Sequence, residues 1–576
     1  MTYLSARRML SACLVSAAAV VALAAPGSAS ATDLTEHCAG SNIKGEGSTF
    51  QAPAQQPVWN IDFNLATDTN PLACSGSKKP TVTYESTEKH AGSGACLKGF
   101  GDGAAAKYSE FPFCGTDEAP GKEPIETMEA NREGGSLKEG EHGQLGSVES
   151  IPVLQGAVAV IVHLPEFCKS TDVAKETPTG PKIKQGRLAL DDLTINKIYR
   201  GEIKDWRELI AAQGAGHGED TMTCAYPVLS KEEPFKKVEE EAYQEEAEKD
   251  TIKVVVRTDK SGTTHIFKSF LAQAEEAEVA AGEITEGFEA ATFPLHITEE
   301  NKAEENACKA ERAATTKTWK DMQEGCENQR WSAAADITRP VYRPGTSHEK
   351  VGYKGNPGVV YETSTSPSSI GYADLAVARE ENAFSANCEG AHKHPASECG
   401  GENKKGSELK QGEENERFWA VVQNQPKNGS GEVETYTEPS SDGDTEKAAE
   451  SNCADTEYVG NSFSEPIPPE STREPWNTVK ASPFEPKYGV CGLTYDLALR
   501  EYKPYLEHVH GGPLSSAEAK AGKEEAQTVR DYLLWEVNGA TDGGGYYVKD
   551  HDYEKLPTAD IKKAEEGIKE IGWEEA

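Results

Sequence analysis

The chain has 576 residues, room for two or more domains, and carries a formal net charge of −37 at pH 7 with only 7% aromatic residues. So acidic a protein is excluded as a general nucleic-acid binder, because phosphate backbones are held by basic surfaces. Beyond the N-terminus no stretch is long and apolar enough to span a bilayer.

Arg7 and Arg8 precede a small and apolar run from Met9 to Ala25, and Ala29-Ser30-Ala31 reads as a small-residue cleavage site. The pattern predicts a secretory signal peptide over 1–31, followed by a soluble, extracytoplasmic mature chain. Leu10-Ser11-Ala12-Cys13 looks like a lipoprotein motif, but its apolar run follows the cysteine instead of preceding it. Of the thirteen cysteines, the twelve beyond Cys13 are expected in disulfides, whose pairing the sequence leaves open. Short loops make Cys308 with Cys326 and Cys388 with Cys399 two possible pairs. His392 and His394 inside the second loop also permit a metal site, but its spacing matches no common zinc module, so no metal is expected.

In chain order, Ile43-Lys44-Gly45-Glu46-Gly47-Ser48-Thr49-Phe50 predicts a strand and a glycine-permitted turn. Pro53 and the Trp59/Phe63 pair predict a helix after it. Val82 to Tyr84 predicts a strand, with Gly92-Ser93-Gly94 in a loop beyond. Phe111 to Asp117 is apolar and then sets a carboxylate at a turn. Ile151 to Leu164 is the clearest buried strand, and Leu190 to Trp206 predicts a helix stopping near Gly201. Acidic segments around 239–246, 272–289 and 380–475 read as solvated insertions. Strands alternating with helices make the chain α/β.

The stretch 252–271 carries the densest chemistry. Ile252 to Val256 predicts a buried strand, and Arg257-Thr258-Asp259-Lys260-Ser261-Gly262-Thr263 packs a cation, hydroxyls and a glycine into one turn. Ile266, Phe267, Phe270 and Leu271 then recur at helical spacing. Backbone N–H groups, hydroxyls and a guanidinium converging on a helix start suit an oxyanion. The same residues also fit an ordinary helix capped by Ser261 or Thr263. Lys260-Ser261-Gly262 with Ser86-Thr87-Glu88-Lys89 formally matches two elements of penicillin-recognising enzymes, but the third element, Ser385-Ala386-Asn387, lies on the wrong side of them.

Taken together and in order, GEGSTF, GSG, TDEAP and RTDKSGT resemble the extracytoplasmic phosphate-binding proteins of bacterial ABC importers. The resemblance continues through IPVLQGAVAVIVHL, Lys354-Gly355-Asn356, Ser369 to Tyr372, YGVCGLTYDLAL, VRDYLLW and Tyr553 to Pro557. It implies a two-lobed type II periplasmic-binding-protein fold, with lobe 1 in 32–150 and 488–576 and lobe 2 in 151–487. It also implies a phosphate site made by Thr49, Phe50, Ser93 and Asp117 facing Arg257, Ser261, Gly262 and Thr263. No enzyme activity and no cofactor are expected. The partners would be inorganic phosphate and a membrane permease, with no nucleic acid, and the protein a monomer. The alternatives are a secreted structural or adhesive protein on the same fold, or a receptor for another oxyanion. Asp117 is expected to accept the O–H of hydrogen phosphate, which sulfate lacks.

Overall fold

The computed structural model describes residues 34, 37–65, 70–74, 80–87, 90–101, 111–133, 147–165, 168–170, 188–199, 203, 206, 209, 222–224, 252–257, 261–281, 355–380, 417–424, 435–441, 450–453, 456–458, 469–477, 479–481, 487–539 and 543–574. The leader, the acidic patch 239–246, residues 258–260, His392, His394 and the cysteines at 308, 326, 388 and 399 lie outside the described residues.

Among the described residues, nine strands form one sheet: β1 Ile43–Gly47, β2 Val82–Glu85, β3 Phe113–Thr116, β4 Val148–His163, β5 Lys253–Val254, β6 Ser369–Asp374, β7 Arg417–Trp419, β8 Cys491–Leu499 and β9 Tyr553–Glu554. Their main order is β2-β1-β3-β8-β4-β6-β5, with β7 and β9 also pairing β4. The axis of the sheet is β4, whose sixteen residues are all buried. An apolar run without alternation is what a strand covered on both faces requires. Strand β8, likewise buried throughout, runs antiparallel to β4 from Val148 to Ala157. At Val158 a different partner takes over, because β6 pairs with β4 from Val158 to His163. One strand therefore carries two sets of elements. Strands β1, β2, β3 and β8 adjoin its first part, and β5, β6 and β7 adjoin its second.

Four helices lie against this sheet near its functional residues: α1 Ser93–Gly99, α2 Gly262–Ala281, α3 Asn356–Thr365 and α4 Ser516–Glu536. The helical stretch expected after β1 runs over 52–62, and Trp59 and Phe63 are fully buried, with Phe63 against Tyr532 and Trp535 of α4. Helix α2 packs on β8, where a side chain at Gly492 would strike Ile266. The α/β reading and the strands at 43, 82 and 151 are borne out, and the apolar segment before Asp117 forms a further strand, Phe113–Thr116.

Four local expectations are corrected. The region 380–475 is not wholly a solvated insertion, because Arg417–Trp419 pairs with β4 in the main sheet and Trp419 to Val422 are fully buried. Gly92-Ser93-Gly94 is not wholly loop: Gly92, at φ 84, turns the chain so that Ser93 opens α1. Leu190 belongs to a short strand, and the helix beyond it begins at Asp192, where the Thr194 N–H donates to the Asp191 carboxylate. The strand after Ile252 is only two residues long, because pairing to β6 covers Lys253 and Val254 alone.

Disulfides join Cys38 to Cys74, Cys96 to Cys114 and Cys453 to Cys491, and Cys168 is also disulfide-bonded. Among the described residues no helix is long and apolar enough to cross a membrane.

Candidate functional site

Beyond β1 the chain turns through Ser48, Thr49 and Phe50. The Ser48 hydroxyl accepts the N–H groups of Phe50 and Gln51, both at 3.0 Å, a local turn that serine favours. The same hydroxyl donates to Asp117 Oδ1. Asp117 follows β3, and two more hydroxyls close on it. Ser93, at the start of α1, accepts the Asp117 N–H at 3.0 Å and donates to Oδ2 at 3.3 Å. Thr494, from the middle of β8, divides its hydrogen between the Thr116 carbonyl at 3.2 Å and Asp117 Oδ1 at 3.3 Å. The Cys96–Cys114 disulfide lies three residues beyond Ser93 and three before Asp117, so it ties together the two segments that carry them.

Asp117 is 4% exposed. Burial raises its pKa to about 6, against the opposing pull of Ser48, the Arg257 charge, Thr494 and Ser93. A carboxylate oxygen accepts two hydrogen bonds. Oδ1 receives two hydroxyls and Oδ2 one, so Oδ2 keeps an acceptor position.

The opposite wall begins at Arg257, 2% exposed and just past β5. Its N–H donates to the Tyr372 hydroxyl at 3.4 Å, and Nη1 donates to Asn356 Oδ1 at 3.2 Å. Tyr372 also meets the Thr264 hydroxyl at 2.6 Å and stacks on Phe267 with ring centroids 4.5 Å apart, which braces the start of α2. Ser261 caps that helix by accepting the Thr264 N–H at 3.2 Å. Capping and anion binding do not compete here, because a capping hydroxyl accepts and keeps its own hydrogen to donate. Thr263 accepts from Asn356 Nδ2 at 3.1 Å and Thr49 accepts from the Asn356 N–H at 3.4 Å. Among the described residues, Ser261, Thr263 and Thr49 therefore each retain an uncommitted hydroxyl hydrogen.

The two walls meet. A Cβ on Gly262 would lie 2.5 Å from Ser93 Oγ and 2.6 Å from Asp117 Cβ, so only glycine allows α2 to start against that carboxylate. A Cβ on Gly355, itself at φ 88, would lie 2.7 Å from Thr49 Cγ2. The junction of the walls brings together a guanidinium, the positive end of a 20-residue helix, donor hydroxyls and one carboxylate with a spare acceptor position. Such an arrangement suits a small oxyanion that also carries a hydrogen to give.

All eight residues anticipated from the sequence lie at this junction, though in unequal roles. Thr49, Ser93, Asp117, Arg257, Gly262 and Thr263 meet directly or through one shared partner, and Ser261 joins them as the cap. Phe50 directs its N–H to Ser48, and its ring packs over Gly156 of β4. The Ser93 hydrogen points at Asp117, whereas the sequence reading aimed it at the ligand. Ser48, Asn356 and Thr494 were missed. Ser48 and Asn356 stood inside motifs already singled out, and their polarity beside a glycine was the available signal. Thr494 sits in an apolar strand and had none.

Elsewhere His37, Cys38, Cys74 and Asp531 cluster closely enough to suggest a metal site. The Cys38–Cys74 disulfide removes both thiolates that would bind one.

Solved structures similar to the chain include a phosphate-binding protein from Stenotrophomonas maltophilia, at 13% identity and a TM-score of 0.42, covering 91% of this chain and 93% of that one. Another is a human phosphate binding apolipoprotein, at 13% identity and a TM-score of 0.40, with 90% and 93% covered. A third is a high affinity periplasmic phosphate-binding protein (PfluDING) bound with phosphate, at 14% identity and a TM-score of 0.40, with 90% and 92% covered. No curated protein matches the chain. A family model described as the PBP superfamily domain matches residues 27–432, a span that includes both walls of the site except Thr494. With that match over most of its length, built on the mixed sheet described above, the chain belongs to the PBP superfamily.

Proposed function

We propose that the protein binds hydrogen phosphate outside the cell and delivers it to the membrane permease of an ABC importer, without acting chemically on it. The observation that carries this reading is Asp117, a buried carboxylate with an acceptor position left on Oδ2, set directly opposite Arg257 and the first turn of α2. Such a carboxylate would repel any oxyanion that had no hydrogen to offer. Hydrogen phosphate has one, and sulfate at neutral pH has none, so the carboxylate turns charge repulsion into selectivity.

The remaining charge is met by Arg257 and by the hydroxyls of Thr49, Ser261 and Thr263, with the N–H groups at the start of α2. Gly262 lets that helix approach. Ser93 and Phe50 act one step back, Ser93 by holding Asp117 and Phe50 by shaping the turn. Dipoles and one guanidinium suffice, which is why a strongly acidic protein can hold an anion. In this reading residues 1–31 are a cleaved leader, 32–150 and 488–576 form one lobe, and 151–487 form the other. Loaded and closed, a single copy would present both lobes to the permease.

The test is calorimetric titration of the oxidised, anion-stripped protein with phosphate and then sulfate. One-to-one phosphate binding with little response to sulfate is expected. Folded protein that binds neither anion would overturn the reading.

A further inference from the structure

Two buried polar residues close to the site stand outside the contacts described above. Asp374 ends β6 opposite Val158, and Tyr553 opens β9 opposite Gly156. Both therefore stand along β4 where it changes partners, and neither is exposed at all. The Tyr553 hydroxyl reaches two oxygens, the Phe50 carbonyl and Asp374 Oδ2, of which the carbonyl is the closer; Asp374 lies at 3.0 Å. The Tyr553 ring also rests against the Phe50 ring, with centroids 6.1 Å apart.

A phenol has one hydrogen, and a carbonyl has none to give. With an ionised Asp374, two acceptors would compete for that hydrogen and a buried charge would be left poorly compensated. The neighbours that bear on Asp374 make ionisation worse. Burial is the largest influence and pushes its pKa well up, and the charges of Asp117 and Asp552 push the same way. The Tyr553 hydroxyl and the Val377 N–H favour the charged form, but burial outweighs them. The next cation along the chain, Arg379, is committed to Asp552 at 2.6 Å.

We infer that Asp374 is a neutral hydrogen-bond donor to Tyr553, which in turn donates to the Phe50 carbonyl, so that both are positioning residues for the anion-binding turn. The relay starts on a strand of the second set and ends on the turn that presents Ser48 and Thr49. It holds the Phe50 carbonyl of the turn whose Ser48 hydroxyl is bonded to Asp117. Its effect on affinity rests on the phosphate-binding reading, but its effect on the order of the turn does not.

The experiment compares Tyr553→Phe, Asp374→Asn and Asp374→Ala with the unaltered protein, by phosphate titration and by amide hydrogen exchange over residues 48–51. Tyr553→Phe is expected to lower phosphate affinity about tenfold, the order of one lost hydrogen bond, and to speed exchange in the turn. Asp374→Ala should behave alike, whereas Asp374→Asn, whose amide still donates, should stay within about threefold of the original. That rescue separates a donor from a merely space-filling residue. Unchanged affinity and exchange in folded Tyr553→Phe would overturn the inference, as would Asp374→Asn failing as badly as Asp374→Ala. Should Tyr553→Phe not fold, the two Asp374 variants decide alone. If the unaltered protein ignores phosphate, the binding reading falls, and the exchange measurement still decides this one.

Discussion

Two trios of hydroxyls crowd the same junction and use their hydrogens differently. Ser48, Ser93 and Thr494 point theirs at Asp117. Thr49, Ser261 and Thr263 each accept an N–H and keep theirs. The first trio lies wholly on the carboxylate side, and two of the second lie at the start of α2 beside Arg257. Residue type and burial are nearly the same in both. What separates them is the neighbour: Asp117 takes the hydrogens of the first trio, whereas nothing among the described residues takes those of the second. In the proposed reading, one trio holds the selectivity group and the other solvates the anion.

Removing the charge that both trios face should have the largest effect. Arg257→Ala is expected to weaken every oxyanion by over a hundredfold, about 3 kcal/mol or more, since it strips the anion and Asp117 of their shared countercharge. Calorimetry with phosphate reads it, and an affinity within a few-fold of the original would contradict the site. Gly262→Ala comes next. Its methyl would be driven into Ser93 and Asp117, so the walls must part at a cost of about 1–3 kcal/mol in closure. Small-angle scattering should then find a more open ligand-free form, and phosphate affinity should fall with it.

Asp117→Asn separates attraction from selectivity. Phosphate affinity should drop about tenfold while sulfate affinity rises, because the amide offers a donor where the carboxylate repelled. Parallel titrations with the two anions give the ratio, and an equal loss of both would break the assignment. The pH dependence has the same root. With its pKa raised to about 6, Asp117 contributes stability to the ligand-free protein that is full below about pH 4 and is lost as pH rises through about 6. Asp496, raised to about 6, and Glu149, raised to about 7, act in the same direction, each mainly through burial. Thermal melts should therefore fall between about pH 4 and 7, less steeply in Asp117→Asn. Phosphate affinity should run the other way and weaken as acid neutralises Asp117.

The smallest effects compare the trios directly. Thr263→Val removes a proposed anion donor and should weaken phosphate and sulfate together, about tenfold. Thr494→Val removes one of three bonds to Asp117 and should cost phosphate only about threefold, with the pH midpoint of binding moved upward. If the two variants had the same anion profile, the division between the trios would not hold.

Much of this was legible in the chain itself. The apolar runs of β4 and β8 need cover on both faces whatever surrounds them. The Gly47-Ser48-Thr49 and Ser261-Gly262-Thr263 segments carry their turn and cap chemistry locally, so residues near each other in the chain sufficed to find them. Ser93 shows the limit of such reading, because glycines on both sides looked like loop until the φ of Gly92 turned one of them into a helix entry.

The company each group keeps belongs to the tertiary structure instead. Thr494 reaches Asp117 across 377 positions, and Tyr553 reaches Phe50 across 503. The register of β8 and β9 on β4 makes those meetings, and nothing in the local sequence of either partner encodes it. The disulfide pairs are of the same kind, since a cysteine's partner is whichever one the sheet brings within reach. Local sequence determines backbone torsions and which faces must be buried. The direction of a hydroxyl hydrogen and the charge state of a buried carboxylate are set by neighbours that arrive only when the strands pair.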